Sequence, residues 1–292
     1  MHPTIKSLLE QSPIITDGAW GTQLQQRGLK PGECPDLWNL TKPEAIEAVA
    51  RSYVKAGSRI ILSNTFGANR IMLASHGAEA KTGEINRAGA SLSRKAAGSE
   101  TLVFTSMGPT GKLLMTEEIT EEEMSAAFNE QAQALAEGGA QGIVVETMSD
   151  LQEAVIAARA AKSTGLPVIV SMVFDSGLHH DRTMMGNSPE EVVEQLEAID
   201  VDALGANCGM GVEHFLSICK SLRSLTALPI WIKPNAGMPE IVNGKIAYRA
   251  LPEQFSSYTK EIVAAGANFI GGCCGTNANF ITKLAETFST RR

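Results

Sequence analysis

Gly142-Ile143-Val144-Val145-Glu146 is a run of β-branched apolar residues that ends in a carboxylate. An alanine-rich stretch from Asp150 to Ser163 follows it, and then a second apolar run, Pro167-Val168-Ile169-Val170-Ser171. Two strand-length apolar runs separated by a dozen helix-forming residues describe a β-α-β unit with both strands buried on both faces. The same alternation extends in both directions. Upstream strands are predicted at Pro13-Ile14-Ile15-Thr16, Arg59-Ile60-Ile61-Leu62 and Thr101-Leu102-Val103-Phe104-Thr105. Downstream strands are predicted at Asp202-Ala203-Leu204-Gly205-Ala206, Pro229-Ile230-Trp231-Ile232 and Asn268-Phe269-Ile270-Gly271.

Between these runs lie helical stretches with recognisable ends. The first runs from Pro43 to Ala56 with Thr41 as cap, the next from about Ala80 to Ala97, and a third from Thr120 to Glu137 with Glu123 completing a capping box. Others are predicted from Ser188 onward, from Val212 to Ser221, from Pro252 to Ala265 and from Ala278 to Phe288, with a tight hairpin turn at Asn243-Gly244. Eight strand-helix units in 292 residues match a closed eight-stranded (β/α)8 TIM barrel more closely than an open doubly wound sheet. No long polar linker divides the chain, so residues 1–292 are expected to form one barrel domain.

Composition narrows the functional classes. The 25 basic and 32 acidic residues give a formal charge of -7, and no basic tract interrupts them, which argues against nucleic acid or an anionic membrane as a main partner. No apolar run reaches the ~20 residues that cross a bilayer, and Met1 to Glu10 lacks the pattern of a signal peptide, so a cytoplasmic location is expected. The five cysteines are too few for a disulfide-stapled scaffold.

In a β/α barrel the C-terminal strand ends share one face. Asp17, Asn64, Glu146, Cys208, Asn235 and the pair Cys273-Cys274 all fall at or just after predicted strand ends. Cys208, Cys273 and Cys274 would give zinc three thiolates and leave one position open; a vicinal disulfide or inert thiols are the alternatives for the pair. Glu146 suits a substrate ammonium or a helix cap. Asp17 in Asp-Gly, and the amides of Asn64, Asn207 and Asn235, suit either turns or hydrogen bonds to a small polar ligand. His179-His180 suits a metal motif or an exposed polar loop. A three-thiolate zinc site is a weak Lewis acid, and its open position fits a soft sulfur ligand, so alkyl transfer to sulfur follows more naturally than hydrolysis.

Five segments together resemble the signatures of the homocysteine S-methyltransferases. They are Asp17-Gly18-Ala19 through Gly21-Thr22, Asn64 to Asn69, Glu146-Thr147, Gly205-Ala206-Asn207-Cys208 and Gly271-Gly272-Cys273-Cys274-Gly275. The resemblance implies a zinc-bearing barrel with Cys208, Cys273 and Cys274 as metal ligands and L-homocysteine as acceptor. Pro234 to Pro239 and Val242 to Lys245 are most similar to the homocysteine-binding module of cobalamin-dependent methionine synthase. That likeness implies that Glu146 receives the amino group, while Asp17, Gly18, Ala19, Asn207 and Asn235 shape the amino-acid pocket. Trp20 and Ala206 depart from the family pattern without removing a ligand.

The same likeness implies a methylcobalamin donor. One barrel has no room for folate, corrinoid and activation modules, so the methylcorrinoid is expected on a separate protein that docks over the barrel mouth. One alternative keeps the acceptor and takes methyl from S-methylmethionine, S-adenosylmethionine or betaine, the last with Trp20 or Trp38 in a cage for the quaternary ammonium. Another is a non-catalytic zinc- or thiol-binding module that recruits a corrinoid protein.

Overall fold

The computed structural model describes residues 1–242 and 245–289. Its strands form at the apolar runs: β1 (Ile14–Ile15), β2 (Ile60–Ile61), β3 (Leu102–Met107), β4 (Gly142–Met148), β5 (Val168–Met172), β6 (Ala203–Cys208), β7 (Ile230–Pro234), β8 (Glu240–Val242), β9 (Lys245–Ala247) and β10 (Ala267–Ile270). Eight of them pair in parallel in the order β1-β10-β7-β6-β5-β4-β3-β2, with helices between successive strands. β8 and β9 pair antiparallel beside the barrel, and the predicted turn at Asn243-Gly244 between them lies outside the described residues.

The expectation of a closed barrel is corrected at one seam. β1 and β2 are two residues each; they pair in register with β10 and β3 but meet each other through an isolated bridge between Thr16 and Ile60 and a 2.8 Å bond from the Arg59 N–H to the Ile15 carbonyl. Above that bridge a side chain substitutes for backbone, since Asp17 Oδ2 accepts the Leu62 N–H at 2.7 Å. A carboxylate whose other partners matter to the site thus helps hold the seam.

Helix ends follow the capping chemistry in most places. Thr120 with Glu123 and Ser188 with Glu191 form complete capping boxes, and Asp150 caps Leu151–Lys162. Thr41 differs from expectation. It ends a short helix, Trp38–Thr41, and donates its hydroxyl to the Leu37 carbonyl at 3.1 Å, while the following helix, Pro43–Lys55, starts on Lys42 without a side-chain cap. The stretch between Gly18 and Pro43 contains a further short helix, Gly21–Gln26.

The interior divides into two apolar layers. One lies between strands and helices; the other fills the barrel, with Ile14, Ile60, Phe104, Val144, Ile169, Ala203, Trp231 and Phe269. Trp231 explains why the least strand-like run still makes a strand. A Cβ on Gly205 would stand 1.7 Å from the Trp231 carbonyl oxygen, so β6 must carry glycine there for β7 to approach. Beneath the barrel, helix Pro3–Leu9 inserts Ile5 and Leu8 into the inner layer, with His2 accepting from the Thr4 N–H to start it. Among the described residues no helix is long and apolar enough to cross a membrane.

Ile5 has no exposed surface, so its truncation leaves a cavity that the strands cannot collapse to fill. Ile5→Ala is expected to lower unfolding free energy by about 2–5 kcal/mol, read from the urea midpoint. A shift no larger than that of an exposed-site control would show that this helix does not plug the barrel.

Candidate functional site

Side chains alternate along a strand, so every second residue faces the barrel interior. Moving two residues up from the apolar layer changes the chemistry at once. Phe104 is followed by Ser106, Val144 by Glu146, Ile169 by Ser171 and Trp231 by Lys233; Ala203 leads through Gly205 to Asn207, and Phe269 through Gly271 to Cys273. A polar layer therefore rests directly on an apolar one.

The cysteines meet at the rim of this layer. The sulfurs of Cys208, Cys273 and Cys274 lie within 4.8 Å of one another, and all three residues are partly exposed. Cys208 ends β6 with φ +65°, followed by Gly209 at φ +67°, so the chain turns in the left-handed region just where the sulfur must point inward. The Cys273-Cys274 loop is fixed by backbone on both sides. Gly272 donates to the Asp17 carbonyl at 3.0 Å, Cys273 to the Pro234 carbonyl at 2.7 Å, and Ala236 donates to the Cys274 carbonyl at 2.9 Å. A Cβ on Gly271 would lie 2.0 Å from Thr16 Oγ1, which is why small residues precede the pair.

The protons on the three thiols are shared unevenly. The close approach of Cys273 and Cys274 pulls the Cys208 thiol well below its usual range, and those two are pushed up in return. Tetrahedral zinc with bonds of about 2.3 Å needs sulfurs roughly 3.8 Å apart, inside the 4.8 Å that bounds their separations. A second observation fits a cation. Asn235 donates through Nδ2 to the Gly209 carbonyl at 2.8 Å, but its buried Oδ1 has no hydrogen-bond partner among the described residues. Tyr248, which the sequence did not single out, lies across Gly275; burial and the neighbouring sulfurs push its phenol up to about 12.

Glu146 is 8% exposed and accepts a short hydrogen bond from Ser106 Oγ. Burial raises its carboxyl to about 7, opposed by the Lys233 ammonium. Directly after it, Thr147 takes φ +62°, rare for a β-branched residue and worth about 1–3 kcal/mol of strain. Asn207 holds that turn. Its Oδ1 accepts from the Thr147 N–H at 2.9 Å and from Ser171 Oγ at 2.7 Å, and its Nδ2 donates to Thr147 Oγ1 at 2.7 Å and points to Cys273 Sγ at 3.8 Å.

Asp17 is fully buried and has both oxygens committed. Oδ1 pairs with Lys233 Nζ at 2.5 Å; Oδ2 accepts from Trp20 Nε1 at 2.8 Å as well as from Leu62. Gly18 packs against Thr276 and Tyr53, and Ala19 donates to Thr276 Oγ1 at 3.1 Å while its carbonyl accepts from the Tyr53 hydroxyl at 2.5 Å. Thr276 in turn donates to the Cys273 carbonyl at 2.7 Å, which staples the Asp17 turn to the cysteine loop. Asn64 stands apart from this group. Its Nδ2 bonds Pro35 O and Asn39 Oδ1 at 2.7 and 3.1 Å, anchoring the first loop.

His179-His180 lies in an exposed loop, where His180 meets the edge of His214, and neither joins a metal-capable cluster among the described residues. Cys34 and Cys219 are buried away from the site. Lys233 is the main residue that sequence reading passed over. A lysine in the apolar run Ile230-Trp231-Ile232-Lys233-Pro234 was the available signal, since an unpaired ammonium is expensive to bury there.

Residues 14–288 match the family model described as homocysteine S-methyltransferase. The chain belongs to the homocysteine S-methyltransferase family. It is 28% identical to methionine synthase of Mycobacterium leprae and 29% identical to that of Mycobacterium tuberculosis, in each case over 95% of this chain. It spans about a quarter of the length of these curated relatives, 24% and 25%. Among solved structures it is similar to the metallated form of the homocysteine methyltransferase MmuM from Escherichia coli, at TM-score 0.80 and 27% identity over 97% of this chain and 99% of that one.

That last match overturns the expectation of a methylcorrinoid carried by a separate protein. A homocysteine methyltransferase is matched from end to end by this one barrel, so the family's reaction does not call for corrinoid machinery beside it. Pro234 to Pro239, the main segment behind the expectation, lies against the cysteine loop through the Pro234 carbonyl and the Ala236 N–H.

The Asp17-Lys233 pair is enclosed, with side chains 0% and 3% exposed, so removing one member strands the other charge. Asp17→Ala is expected to cost about 3–5 kcal/mol in urea unfolding, with part of the loss recovered in the Asp17→Ala, Lys233→Met double variant. Strictly additive losses would show that the two do not act as a pair.

Proposed function

We propose that this barrel transfers a methyl group from a small sulfonium donor, of the S-methylmethionine or S-adenosylmethionine type, to the thiol of L-homocysteine, giving methionine. The observation that carries the reading is the cluster of three sulfurs within 4.8 Å, at the mouth of a barrel of this family. Their partial exposure favours an enzyme over a closed, purely structural metal module.

Cys208, Cys273 and Cys274 would hold zinc. When bound, zinc supplies an open position at which a thiol loses its proton near neutral pH and stays a soft nucleophile. The chain's own residues act on the rest of the substrate. Glu146 is placed to receive the ammonium, and its burial makes that contact stronger than it would be in water. The Asp17 to Ala19 turn, locked by Tyr53 and Thr276, forms one wall of the pocket, and Asn235 forms part of the other.

In the transfer, a lone pair on the substrate sulfur forms the new S–CH3 bond. The donor's C–S bond breaks with its electrons passing to the donor sulfur, which leaves as a neutral thioether. The likeness of Pro234 to Pro239 to the module of cobalamin-dependent methionine synthase is read here as a likeness of the acceptor pocket, which the identity to the mycobacterial proteins supports.

A sulfonium suits the site better than betaine. Of the two tryptophans offered for an ammonium cage, Trp38 is 3% exposed with Lys42 over its ring at 3.6 Å, which leaves Trp20, tied through Nε1 to Asp17, as a single aromatic face. Methionine formation is expected with S-methylmethionine or S-adenosylmethionine, abolished by chelation and restored by zinc, and reduced at least about 100-fold in Cys273→Ser. Turnover only with betaine or a methylated corrinoid would sink the donor assignment; turnover independent of metal would sink the mechanism.

The Glu146 carboxyl titrates near 7, above the ordinary 4.5, because burial disfavours its charge. Its contribution to folding is therefore complete below about 4.5 and is lost as pH rises through about 7, whereas an ammonium ligand needs the ionised form. L-methionine, which has no thiol to titrate, is expected to bind more tightly as pH rises from 6 to 8, by roughly tenfold, with the slope flattened in Glu146→Gln. Calorimetric affinities that are equally pH-dependent in both proteins would remove Glu146 from the ammonium site.

A further inference from the structure

Asn207 was read from sequence as a pocket residue, yet its side chain has nothing left to offer a substrate. It is fully buried. Both lone pairs of Oδ1 are taken, by the Thr147 N–H and Ser171 Oγ, and both Nδ2 hydrogens are directed, one to Thr147 Oγ1 and one to Cys273 Sγ. An amide can do no more than this.

What it joins is more telling than what it lacks. Thr147 is the residue after Glu146, and the β4-β5 register slips between Val145 and Met148, so Glu146 sits on a bulge whose shape depends on Thr147 staying in the left-handed region. Asn207 clasps Thr147 through backbone and hydroxyl together. The same amide faces Cys273, and Asn207 is itself the neighbour of Cys208, which also has a positive φ. One side chain thus reaches the carrier of the carboxylate and a sulfur of the cluster.

We propose that Asn207 is a positioning residue that ties the amino-acid end of the pocket to the metal end: its grip on Thr147 aims Glu146, and its remaining N–H supports the Cys273 sulfur. The inference rests on the roles given above to Glu146 and the three cysteines. It assigns Asn207 no contact with substrate. The two ends are held by different atoms of one amide, so they are separable by substitution.

Three variants separate them. Thr147→Val removes the hydroxyl that Nδ2 holds and keeps the branched side chain, so KM for homocysteine should rise about 10-fold while zinc affinity, measured by competition with a chelator, stays within about twofold. Asn207→Asp keeps the acceptor for the Thr147 N–H and Ser171, and the Thr147 hydroxyl is free to donate to it; but it turns an oxygen towards Cys273. Zinc affinity should fall at least about 10-fold while calorimetric affinity for L-methionine changes less than about threefold. Asn207→Ala should weaken both.

A role confined to folding would lower thermal stability in all three without this split. If Asn207→Asp and Thr147→Val leave both readouts at the native values, while Glu146→Gln weakens amino-acid binding and Cys273→Ser weakens zinc binding, the positioning role is overturned and the functional reading stands. If Glu146→Gln leaves amino-acid binding unchanged or Cys273→Ser leaves zinc binding unchanged, the functional reading itself fails. Asn207→Asp and Thr147→Val keep the test open should Asn207→Ala not fold.

Discussion

Polar side chains that enter the interior of a barrel must satisfy one another, because water reaches them poorly and each unpaired group costs free energy. Here the inward position above the apolar layer carries two serines, a glutamate, an asparagine, a lysine and a cysteine. The contacts that result are mutual. Ser106 meets Glu146, Ser171 meets Asn207, Asn207 meets Thr147 and Cys273, and Lys233 meets Asp17. Each functional group is held in place by a neighbour whose own polar capacity it completes.

The layer also explains how a barrel with an imperfect seam keeps its mouth in shape. Where β1 and β2 run out of backbone pairing, Asp17 accepts the Leu62 N–H, and the same carboxylate anchors Lys233 from β7, two strands away on its other side. Sheet closure and site electrostatics share one residue. The positive charge so fixed opposes the desolvation of Glu146, so the carboxylate proposed to take the substrate ammonium depends on the Asp17-Lys233 pair.

Strained backbone sits where it has work to perform. Thr147 and Cys208 both have positive φ, lie at the ends of strands two apart in the barrel order, and flank the contacts of Asn207. Such conformations persist only when surrounding bonds over-determine them. Turning the chain at those two points sets the backbone beside Glu146 and at Cys208, the ionic and soft ends that the proposed reaction needs.

The order of strands and helices, the strand ends that carry Glu146 and the three cysteines, and the family itself were all legible in the sequence, because periodicity and short motifs are local properties. Even Gly205, the least strand-like feature, kept its place in the series. Which lone pairs were still free was not legible. Tertiary contacts commit the Asp17 carboxylate to the seam and to Lys233, and the Asn64 Nδ2 to the first loop. The buried Lys233, the Thr276 staple and the four-way bonding of Asn207 arise between strands distant in the chain, and only folding brings those partners within hydrogen-bond distance. The sequence by itself determined which chemical groups reach the barrel mouth; the tertiary structure decided which of them remain available there, since availability depends on neighbours that no local pattern encodes.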